Sequence, residues 1–419
     1  MGRALVTASA FVGVLWATGC AADHRDVGAP LFIDRPEALA VPFEDSAGFA
    51  RSNQPCPPDV ATDPIAPLDG PSPVRLERVV ELPGAAALAF DPEGSAIVGT
   101  RDGALYGWDG GRQPGQGLGE PVLDLRADTQ VGNDAGLLGI EIHEDRLYVY
   151  RNDSDGDSVL SAYPLEDGRS MAGQGSELLR ARQPTNQHNG GSVTFDPSGN
   201  LYLALGDGGG PGDPFETAQD IESPFGSVLR MRPSPGGTSA VQPPPDNPYL
   251  GSAPGHDLVW AKGVRNPFRF WADPATGQLW LGDVGQWCAE EINVVPTVGE
   301  GGANLGWSVF EGTGPFVGEL AAGTDHHEPF FSYSHANGRC AVIAGEVYRG
   351  DRVPELAGQF LFADFCSGEL LALDPASGQA RVVLTADGLT PVGLVGGPAG
   401  ELHVVDLASG VWRVVPAGQ

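Results

Sequence analysis

Short runs of alternating apolar and polar residues cover most of the chain, and turns rich in acidic residues and glycine separate them. In residues 193–205, apolar positions flank the turn Asp196-Pro-Ser-Gly-Asn200 on both sides. This pattern is typical of two strands joined by a turn. A similar unit of apolar strands and turns recurs six times, at residues 88–108, 137–163, 193–210, 268–285, 342–373 and 392–415.

The recurring units predict the fold class. Each unit is too small to bury its own faces, so the units are expected to stack radially in an all-β, six-bladed β-propeller. Two β-sandwiches in tandem are the alternative, which the even recurrence of the units makes less favourable. No long amphipathic helix interrupts the pattern.

The first 73 residues do not follow this pattern. Arg3 and the apolar run Ala4–Ala17 lead into Ala17-Thr-Gly-Cys20, which resembles a bacterial lipobox, so residues 1–20 are predicted to be a lipoprotein signal peptide. An ordinary signal peptide is the alternative, and both imply export, to the periplasm or to the cell surface. Residues 21–73 predict a Pro-rich tether, and residues 74–419 the propeller.

The remaining cysteines are Cys56, Cys288, Cys340 and Cys366. An even number in an exported chain favours two disulfides, for which three connectivities exist. We favour Cys340–Cys366 together with Cys56–Cys288. The sequence contains no Cys-x-x-Cys or Cys-x-x-Cys-His motif, so it indicates neither a zinc cluster nor an attached haem.

The charge balance narrows the possible partners. Lys and Arg number 24 against 54 Asp and Glu, which gives a formal net charge of −30. Such a surface repels phosphate backbones and anionic lipids, so nucleic acid is not an expected partner. Contact with a membrane is expected only through a lipid anchor at Cys20.

One hairpin carries candidate chemistry. His188 lies in a glycine-flanked turn before it, and Asp207 lies in a glycine-rich turn after it. Because a hairpin returns to the edge that it left, the two side chains are expected to be neighbours. A carboxylate beside an imidazole fixes its tautomer and raises its basicity, as a general base requires. The alternative is that both are turn residues bonded to backbone.

A second acidic turn, Asn152–Asp157, has carboxylates at alternate positions but lacks the glycine placement and distal glutamate of an EF-hand. We therefore expect a solvated hairpin turn there rather than a calcium site.

Eight motifs in a fixed order resemble those of the soluble glucose/sorbosone dehydrogenase family, which are quinoprotein aldose dehydrogenases. They are Ala135-Gly-Leu-Leu-Gly139, His188-Asn-Gly-Gly191, Gly206-Asp-Gly-Gly209, Asp246-Asn-Pro248, Gly263-Val-Arg-Asn-Pro267, Glu290-Glu-Ile-Asn293, Asn304-Leu-Gly-Trp307 and Tyr348-Arg-Gly350. The variants Gly282-Asp-Val-Gly-Gln286 and Phe362-Ala-Asp-Phe-Cys-Ser-Gly368 resemble the hedgehog-interacting-protein-like branch.

The resemblance implies a propeller with pyrroloquinoline quinone (PQQ) in a cleft on one face. His188 would be the general base for the sugar's anomeric hydroxyl, Asp207 would orient it, and hydride would pass from C1 to the quinone. Arg265 and Asn266 match the pair at the quinone's reactive edge. The alternative for Arg265 is an ion pair between blades.

Two further features of the cofactor site follow from the resemblance. Backbone carbonyls of Gly285 and Gln286 would join PQQ oxygens around Ca²⁺, and carbonyl ligands suit a hard cation. Asp134 stands at a cofactor-binding position where the family usually has Gln.

Three cationic positions of the family are not matched. Dehydrogenase members hold the cofactor's carboxylates with a Lys and two Arg, where this chain has Cys366, Thr390 and Val392. PQQ carries three carboxylates, and burying them unpaired is costly.

The favoured function is an exported PQQ-dependent sugar dehydrogenase, with a small-molecule sugar as substrate and a separate electron acceptor. The alternative is a non-catalytic cell-surface propeller that binds a glycan or a protein. A different chemistry on the same His–Asp pair is the third possibility, but no Gly-x-Ser-x-Gly or phosphate-loop motif supports it.

Overall fold

The computed structural model describes residues 30–33, 60, 62–109, 118–166, 169–170, 175–234, 240–252 and 255–418. Within them the chain forms six large, mainly antiparallel sheets, which are the blades of a β-propeller. The predicted fold class is therefore confirmed. Predictions for residues 1–29, which include the signal peptide and the lipid anchor at Cys20, lie outside the described residues.

The blades follow one another along the chain. Blade 1 consists of Ala85–Phe90, Ala96–Thr100, Ala104–Trp108 and Leu123–Asp124. Blade 2 consists of Leu137–His143, Arg146–Asn152, Ser158–Glu166 and Ser176–Ala181, with Arg169–Ser170 and Leu31–Ile33 at its edges. Blade 3 consists of Val193–Phe195, Leu201–Leu205, Ser227–Pro233 and Val259–Lys262, with Val241–Gln242 and Ala303–Asn304 added.

The second half of the ring is built in the same way. Blade 4 consists of Arg269–Asp273, Gln278–Asp283, Ala289–Pro296 and Phe331–Ser334. Blade 5 consists of Val342–Val347, Phe360–Asp364, Glu369–Leu373 and Ala380–Thr385, with Ile65–Ala66 at its edge. Blade 6 consists of Pro391–Gly396, Leu402–Asp406, Gly410–Pro416 and Val74–Glu81.

Smaller elements lie between the blades. A short hairpin pairs Phe310–Glu311 with Gly314–Pro315, and single 3₁₀ turns cover Arg126–Asp128, Ala336–Gly338 and Pro354–Leu356. The part of the chain that the structure describes contains no helix with the length and hydrophobicity needed to span a lipid bilayer.

An N-terminal strand closes the ring. Val74–Glu81 pairs antiparallel with Gly410–Pro416, so the last blade takes its outer strand from the start of the domain. Leu31–Ile33 and Ile65–Ala66, both within the predicted tether, pair in parallel with the outer strands of blades 2 and 5. The sequence pattern did not predict any of these three pairings.

The hydrophobic core is distributed around the ring. Six buried clusters each join one pair of neighbouring blades, including blades 6 and 1. The recurring Asp of the turns has a common role: Asp91, Asp196 and Asp273 accept backbone N–H groups from within their own turns, at 2.7–3.0 Å. This side-chain bonding explains why the repeat favours Asp at the first turn position.

One side chain connects the blades across the centre. The first strand of each blade lines the central channel, and Arg269 of blade 4 extends across it, 9% exposed. Its guanidinium donates to carbonyl oxygens of five blades at 2.6–3.0 Å, namely those of Ala86, Leu138, Gly191, Phe268 and Val392. Burial lowers the pKa of Arg269 to about 9, so the group stays charged at neutral pH.

Two sequence predictions concern local features. A disulfide joins Cys340 to Cys366 with a Cα–Cα distance of 5.6 Å, which confirms that pairing. Cys56 lies outside the described residues, so Cys56–Cys288 stays a prediction. The turn predicted at Asn152–Asp157 exists, but it is only partly solvated. Asp153 and Asp157 are buried, and both pair with Arg180 of the neighbouring strand, which compensates their charge.

Candidate active site

His188 and Asp207 are neighbours, as the hairpin predicted. The imidazole Nδ1 lies 2.6 Å from the Asp207 Oδ1, and the two side chains are 8% and 0% exposed. An ionised carboxylate can only accept, so Nδ1 carries the hydrogen and Nε2 keeps its lone pair. No described residue bonds Nε2, which leaves that atom available to take a proton.

Two other groups fix the Asp207 carboxylate. The backbone N–H of Gly209 donates to Oδ1 at 2.8 Å, and the indole Nε1 of Trp307 donates to Oδ2 at 2.8 Å. Burial alone would raise the pKa of Asp207, but the positive charge that His188 carries once protonated, the His188 hydrogen bond and the charge of Arg265 hold it below its usual value. The carboxylate therefore stays ionised and holds the imidazole in one orientation.

Two glycines allow the histidine turn to form. His188 has a φ of 52° and Gly190 a φ of 74°, a left-handed region that favours glycine. Gly206 lies so close to the turn that a Cβ there would stand 2.1 Å from the His188 carbonyl oxygen. The glycines of the motif therefore let the two turns approach each other.

Asp134, which precedes the first strand of blade 2, also supports the histidine turn. Asp134 accepts the backbone N–H of His188 at 2.9 Å through its Oδ2. The structure thus places Asp134 beside the imidazole turn.

Arg265 and Asn266 lie on the same side of the ring. The Asp283 carboxylate accepts both of their backbone N–H groups, at 2.9 and 2.7 Å. The Arg265 guanidinium donates to the Val284 carbonyl at 2.9 Å and lies 5.7 Å from the Trp307 ring centroid. Its side-chain partner is a carbonyl and not an acid of another blade, so the alternative of an ion pair between blades is not favoured.

The Asn266 amide joins this segment to the histidine turn, because its Oδ1 accepts the backbone N–H of Gly190 at 3.2 Å. Four of the predicted residues, His188, Asp207, Arg265 and Asn266, therefore belong to one connected group.

Replacing Trp307 by phenylalanine is expected to lower the free energy of unfolding by about 1–3 kcal/mol, because a buried carboxylate oxygen of Asp207 loses its donor. Chemical denaturation measures this change when unfolding is followed by far-ultraviolet circular dichroism, which reports on the backbone and not on tryptophan fluorescence. Trp412→Phe is the matched control, since its indole donates only to the Ser409 hydroxyl at 2.9 Å. Equal losses in the two variants would contradict the role given to Trp307.

The predicted metal loop is organised by an acid that the sequence did not reveal. Glu311 Oε1 accepts the backbone N–H groups of Gln286, Trp287 and Cys288 at 2.6–2.9 Å. Because the N–H and C=O of a trans peptide point in opposite directions, the carbonyls of Gly285 and Gln286 face away from Glu311. The Gln286 side chain also ties this loop to the Asp207 turn, since its Oε1 accepts the Gly212 N–H at 2.7 Å.

These carbonyls remain the predicted calcium ligands. The described residues contain no group of three or more His, Cys, Asp or Glu side chains arranged to hold a metal ion. A cation at this loop would therefore have to depend on backbone oxygens and on the cofactor, as the sequence resemblance implied.

A cavity of about 260 Å³, here called the upper cavity, opens where the inner strands begin. It lies next to the histidine turn, since both Asp134 and Asn266 line it. Its walls are mostly apolar and include Phe268 and Phe365. A flat ring with polar edges fits such a space.

At the three positions where the family resemblance implies a Lys and two Arg, this chain has residues with other roles. Cys366 is bonded to Cys340, and Thr390 donates its backbone N–H and its hydroxyl to Asp406 at 2.7 and 2.9 Å. Val392 lines the upper cavity with an apolar side chain. None of the three supplies a positive charge.

A different cation lines the upper cavity. Arg101, after the second strand of blade 1, donates through Nε to the Ala135 carbonyl at 3.1 Å and through Nη2 to the Asn133 carbonyl. These bonds hold the guanidinium at the cavity wall beside the His188 turn. Arg101 could not be predicted as a site residue from the sequence, because it lies in an ordinary strand-to-strand turn with no motif around it.

Comparison with known proteins bears on what this site does. The family model for glucose/sorbosone dehydrogenases matches residues 82–405, which is most of the chain. The chain belongs to the glucose/sorbosone dehydrogenase family. The family match covers all the site residues described above.

Two relatives and one solved structure show the degree of similarity to known proteins. The aldose sugar dehydrogenase YliI of Escherichia coli is 26% identical over 349 residues, 77% of this chain and 87% of that protein. The HIPL1 protein of Arabidopsis thaliana is 32% identical over 204 residues, 43% of this chain. The crystal structure of the soluble aldose sugar dehydrogenase from Escherichia coli in the apo form superposes with a TM-score of 0.68, 25% identity and coverage of 82% of this chain and 99% of that one.

The plant relative is much longer than the region of similarity, because the match spans only 29% of its length. Its resemblance nevertheless agrees with the branch that the variant motifs indicated. The chain is thus a β-propeller of the glucose/sorbosone dehydrogenase family and is similar to the aldose sugar dehydrogenase of Escherichia coli.

Proposed function

We propose that this protein is an exported, PQQ-dependent dehydrogenase that oxidises an aldose at C1. The observation that carries the proposal is the buried His188–Asp207 pair, with Nδ1 and Oδ1 2.6 Å apart. A histidine whose tautomer is fixed by an ionised carboxylate, and whose other nitrogen has no partner, has the arrangement of a general base. A purely structural pair would have no need of an unpartnered Nε2.

The residues around the upper cavity fit PQQ in chemical type. Phe268 and Phe365 offer apolar surface for a flat ring, and Asn266 offers an amide at its edge. The Arg101 guanidinium would pair with one of the three carboxylates in place of the family's unmatched cations. Asp134 opposes this pairing with a negative charge, so we expect weaker binding than three cations would give.

Each residue of the site would have its own role in the reaction. His188 Nε2 would take the proton from the anomeric hydroxyl, and Asp207 would stabilise the imidazolium that forms. Bound PQQ would supply the acceptor for the hydride that leaves C1, so that the aldose becomes a lactone. Arg265, near the same edge, would stabilise negative charge that develops on the acceptor's oxygens.

A bound calcium ion would be held by the carbonyls of Gly285 and Gln286. Glu311 would keep these carbonyls oriented by binding the N–H groups on the other side of the loop.

The function is tested by aldose oxidation with an artificial electron-accepting dye, which stands in for the separate acceptor. With PQQ and millimolar Ca²⁺ added, aldoses should reduce the dye, and the corresponding methyl glycosides should not, because they lack the anomeric hydroxyl. Dye reduction that is equal for both sugars, or that needs no PQQ, would contradict the proposal.

Replacing Arg101 by glutamine is expected to weaken PQQ binding about tenfold to a hundredfold, since one charge-assisted carboxylate contact is worth about 1.5–3 kcal/mol. Equilibrium dialysis of PQQ measures this affinity without relying on activity. Arg126→Gln is the matched control, because that arginine is exposed and pairs only with Asp124 on the outer strand of blade 1. An unchanged affinity in Arg101→Gln would exclude Arg101 as a carboxylate ligand.

A non-catalytic propeller that binds a glycan or a protein is the second candidate. The observation in its favour is that Cys366 and Thr390 have structural partners at positions where the resemblance implied cations. The two candidates differ in one measurable property, because only the dehydrogenase needs saturable PQQ binding.

A further inference from the structure

A second cavity lies on the other side of Arg269 from the upper cavity. This lower cavity, of about 320 Å³, is bounded by the later residues of the inner strands from all six blades. It shares Ala86, Leu138 and Arg269 with the lining of the upper cavity, so Arg269 separates the two. A space of this size accepts a small organic molecule, and the proposed dehydrogenase chemistry makes no use of it.

Glu141 is the unusual group in the lower cavity. It belongs to the inner strand of blade 2, and none of the described residues donates a hydrogen bond to its carboxylate or pairs with it. Burial raises the pKa of Glu141 to about 8, with no neighbouring charge to oppose the effect. Glu141 is half-buried on the channel wall, and a carboxylate there without a donor is less well stabilised than one in bulk water.

A second carboxylate faces it from the opposite side of the ring. Glu346 belongs to the inner strand of blade 5, and blades 2 and 5 stand opposite each other in a ring of six. Its Oε2 accepts the Gly396 N–H at 3.0 Å, and burial raises its pKa to about 7. Two acids of opposed blades therefore enclose the same space.

The positive charges near these acids have other partners. Arg349, whose charge acts on Glu346, pairs with Asp273 at 2.7 Å. The charged side chains that line the lower cavity are Glu141, Glu346 and Arg269. The Arg269 guanidinium is already engaged with the carbonyl oxygens of five blades. The cavity also presents aromatic surface from Phe90, Phe195 and Trp271, and such rings attract organic cations.

We propose that the lower cavity is a binding site for a small aliphatic diamine, whose ammonium groups are held by Glu141 and Glu346 on opposite sides of the channel. An ammonium group brings both the positive charge and the hydrogen-bond donors that Glu141 lacks. A bare metal ion would leave most of the space unfilled, and the described residues contain no cluster of three metal-ligating side chains. This inference does not depend on the dehydrogenase function.

The experiment compares 1,4-diaminobutane with 1,4-butanediol, which has the same length but no charge, by calorimetric titration into the full chain. The diamine should bind saturably with one site, and the diol should not. Glu141→Gln should weaken diamine binding at least tenfold. Glu93→Gln, which removes one exposed carboxylate from a turn, should change it less than twofold.

Three results would overturn the proposal. They are equal binding of the diol, no saturable binding of the diamine, and equal diamine affinity in Glu141→Gln and the native protein. Equal affinity in Glu141→Gln would mean that the diamine binds to carboxylates on the outer surface of this acidic protein and not in the lower cavity.

A pH series on the native protein keeps the test valid if Glu141→Gln fails to fold. The diamine needs ionised acids, and Glu141 and Glu346 both lose their protons between pH 6.5 and 8.5, given pKa values of about 8 and 7. Affinity should therefore rise about tenfold or more over this range, while the amines stay protonated. An affinity that is constant between these pH values would contradict the proposed site.

Discussion

Replacing His188 by alanine is expected to lower kcat for aldose oxidation by about a thousandfold, the usual contribution of a positioned general base. The imidazole is the group in the His188–Asp207–Arg265 set that keeps a nitrogen lone pair without a bonding partner among the described residues. Its loss should leave PQQ affinity within about threefold of the native value, because the Arg101 and Asn266 contacts remain. Dye-linked rates and equilibrium dialysis on the same preparations measure the two effects separately.

The matched control is His327→Ala, which removes an exposed imidazole bonded to the Val294 carbonyl at 3.0 Å. It should oxidise aldoses at the native rate. A His188→Ala protein that binds PQQ and keeps more than a tenth of the native kcat would show that His188 is not the base.

Replacing Arg269 by methionine is expected to lower the free energy of unfolding by about 3–5 kcal/mol, the range for removing one partner from a buried charged network. Methionine has a similar length but no donors, so buried carbonyls of five blades lose their hydrogen bonds together. The relief from burying a charge offsets part of this loss. Urea unfolding followed by circular dichroism measures the difference.

Arg381→Met is the control for Arg269, because that guanidinium donates to one carbonyl, Glu355, at 3.1 Å on the outer strand of blade 5. Its expected loss is below about 1 kcal/mol. If Arg269→Met were as stable as Arg381→Met, water in the channel would have replaced the guanidinium, and Arg269 would not be a structural link between blades.

The repeating pattern was sufficient to predict the blades, because each blade is a local unit. Strands adjacent in sequence pair with each other, and turns such as Asp196–Asn200 are stabilised by their own side chains. For the same reason, the proximity of His188 and Asp207 could be predicted, since one hairpin separates them.

Contacts between distant segments were not predictable from the pattern. Trp307 is 100 residues away from Asp207, and Glu311 is 24 residues away from the loop N–H group of Trp287. Arg269 and Arg101 have no distinctive sequence context, and their importance depends on the closed ring that brings carbonyls of several blades together. Ring closure by Val74–Glu81 likewise joins the two ends of the domain, which no local pattern encodes.

Binding of PQQ beside His188 for sugar oxidation is measured by calorimetric titration of PQQ into the native protein with millimolar Ca²⁺. We expect saturable binding of one PQQ per chain, weakened in Arg101→Gln and followed by aldose-dependent dye reduction. A folded protein that shows no saturable binding up to high micromolar PQQ would contradict it and leave a non-catalytic binding propeller as the function.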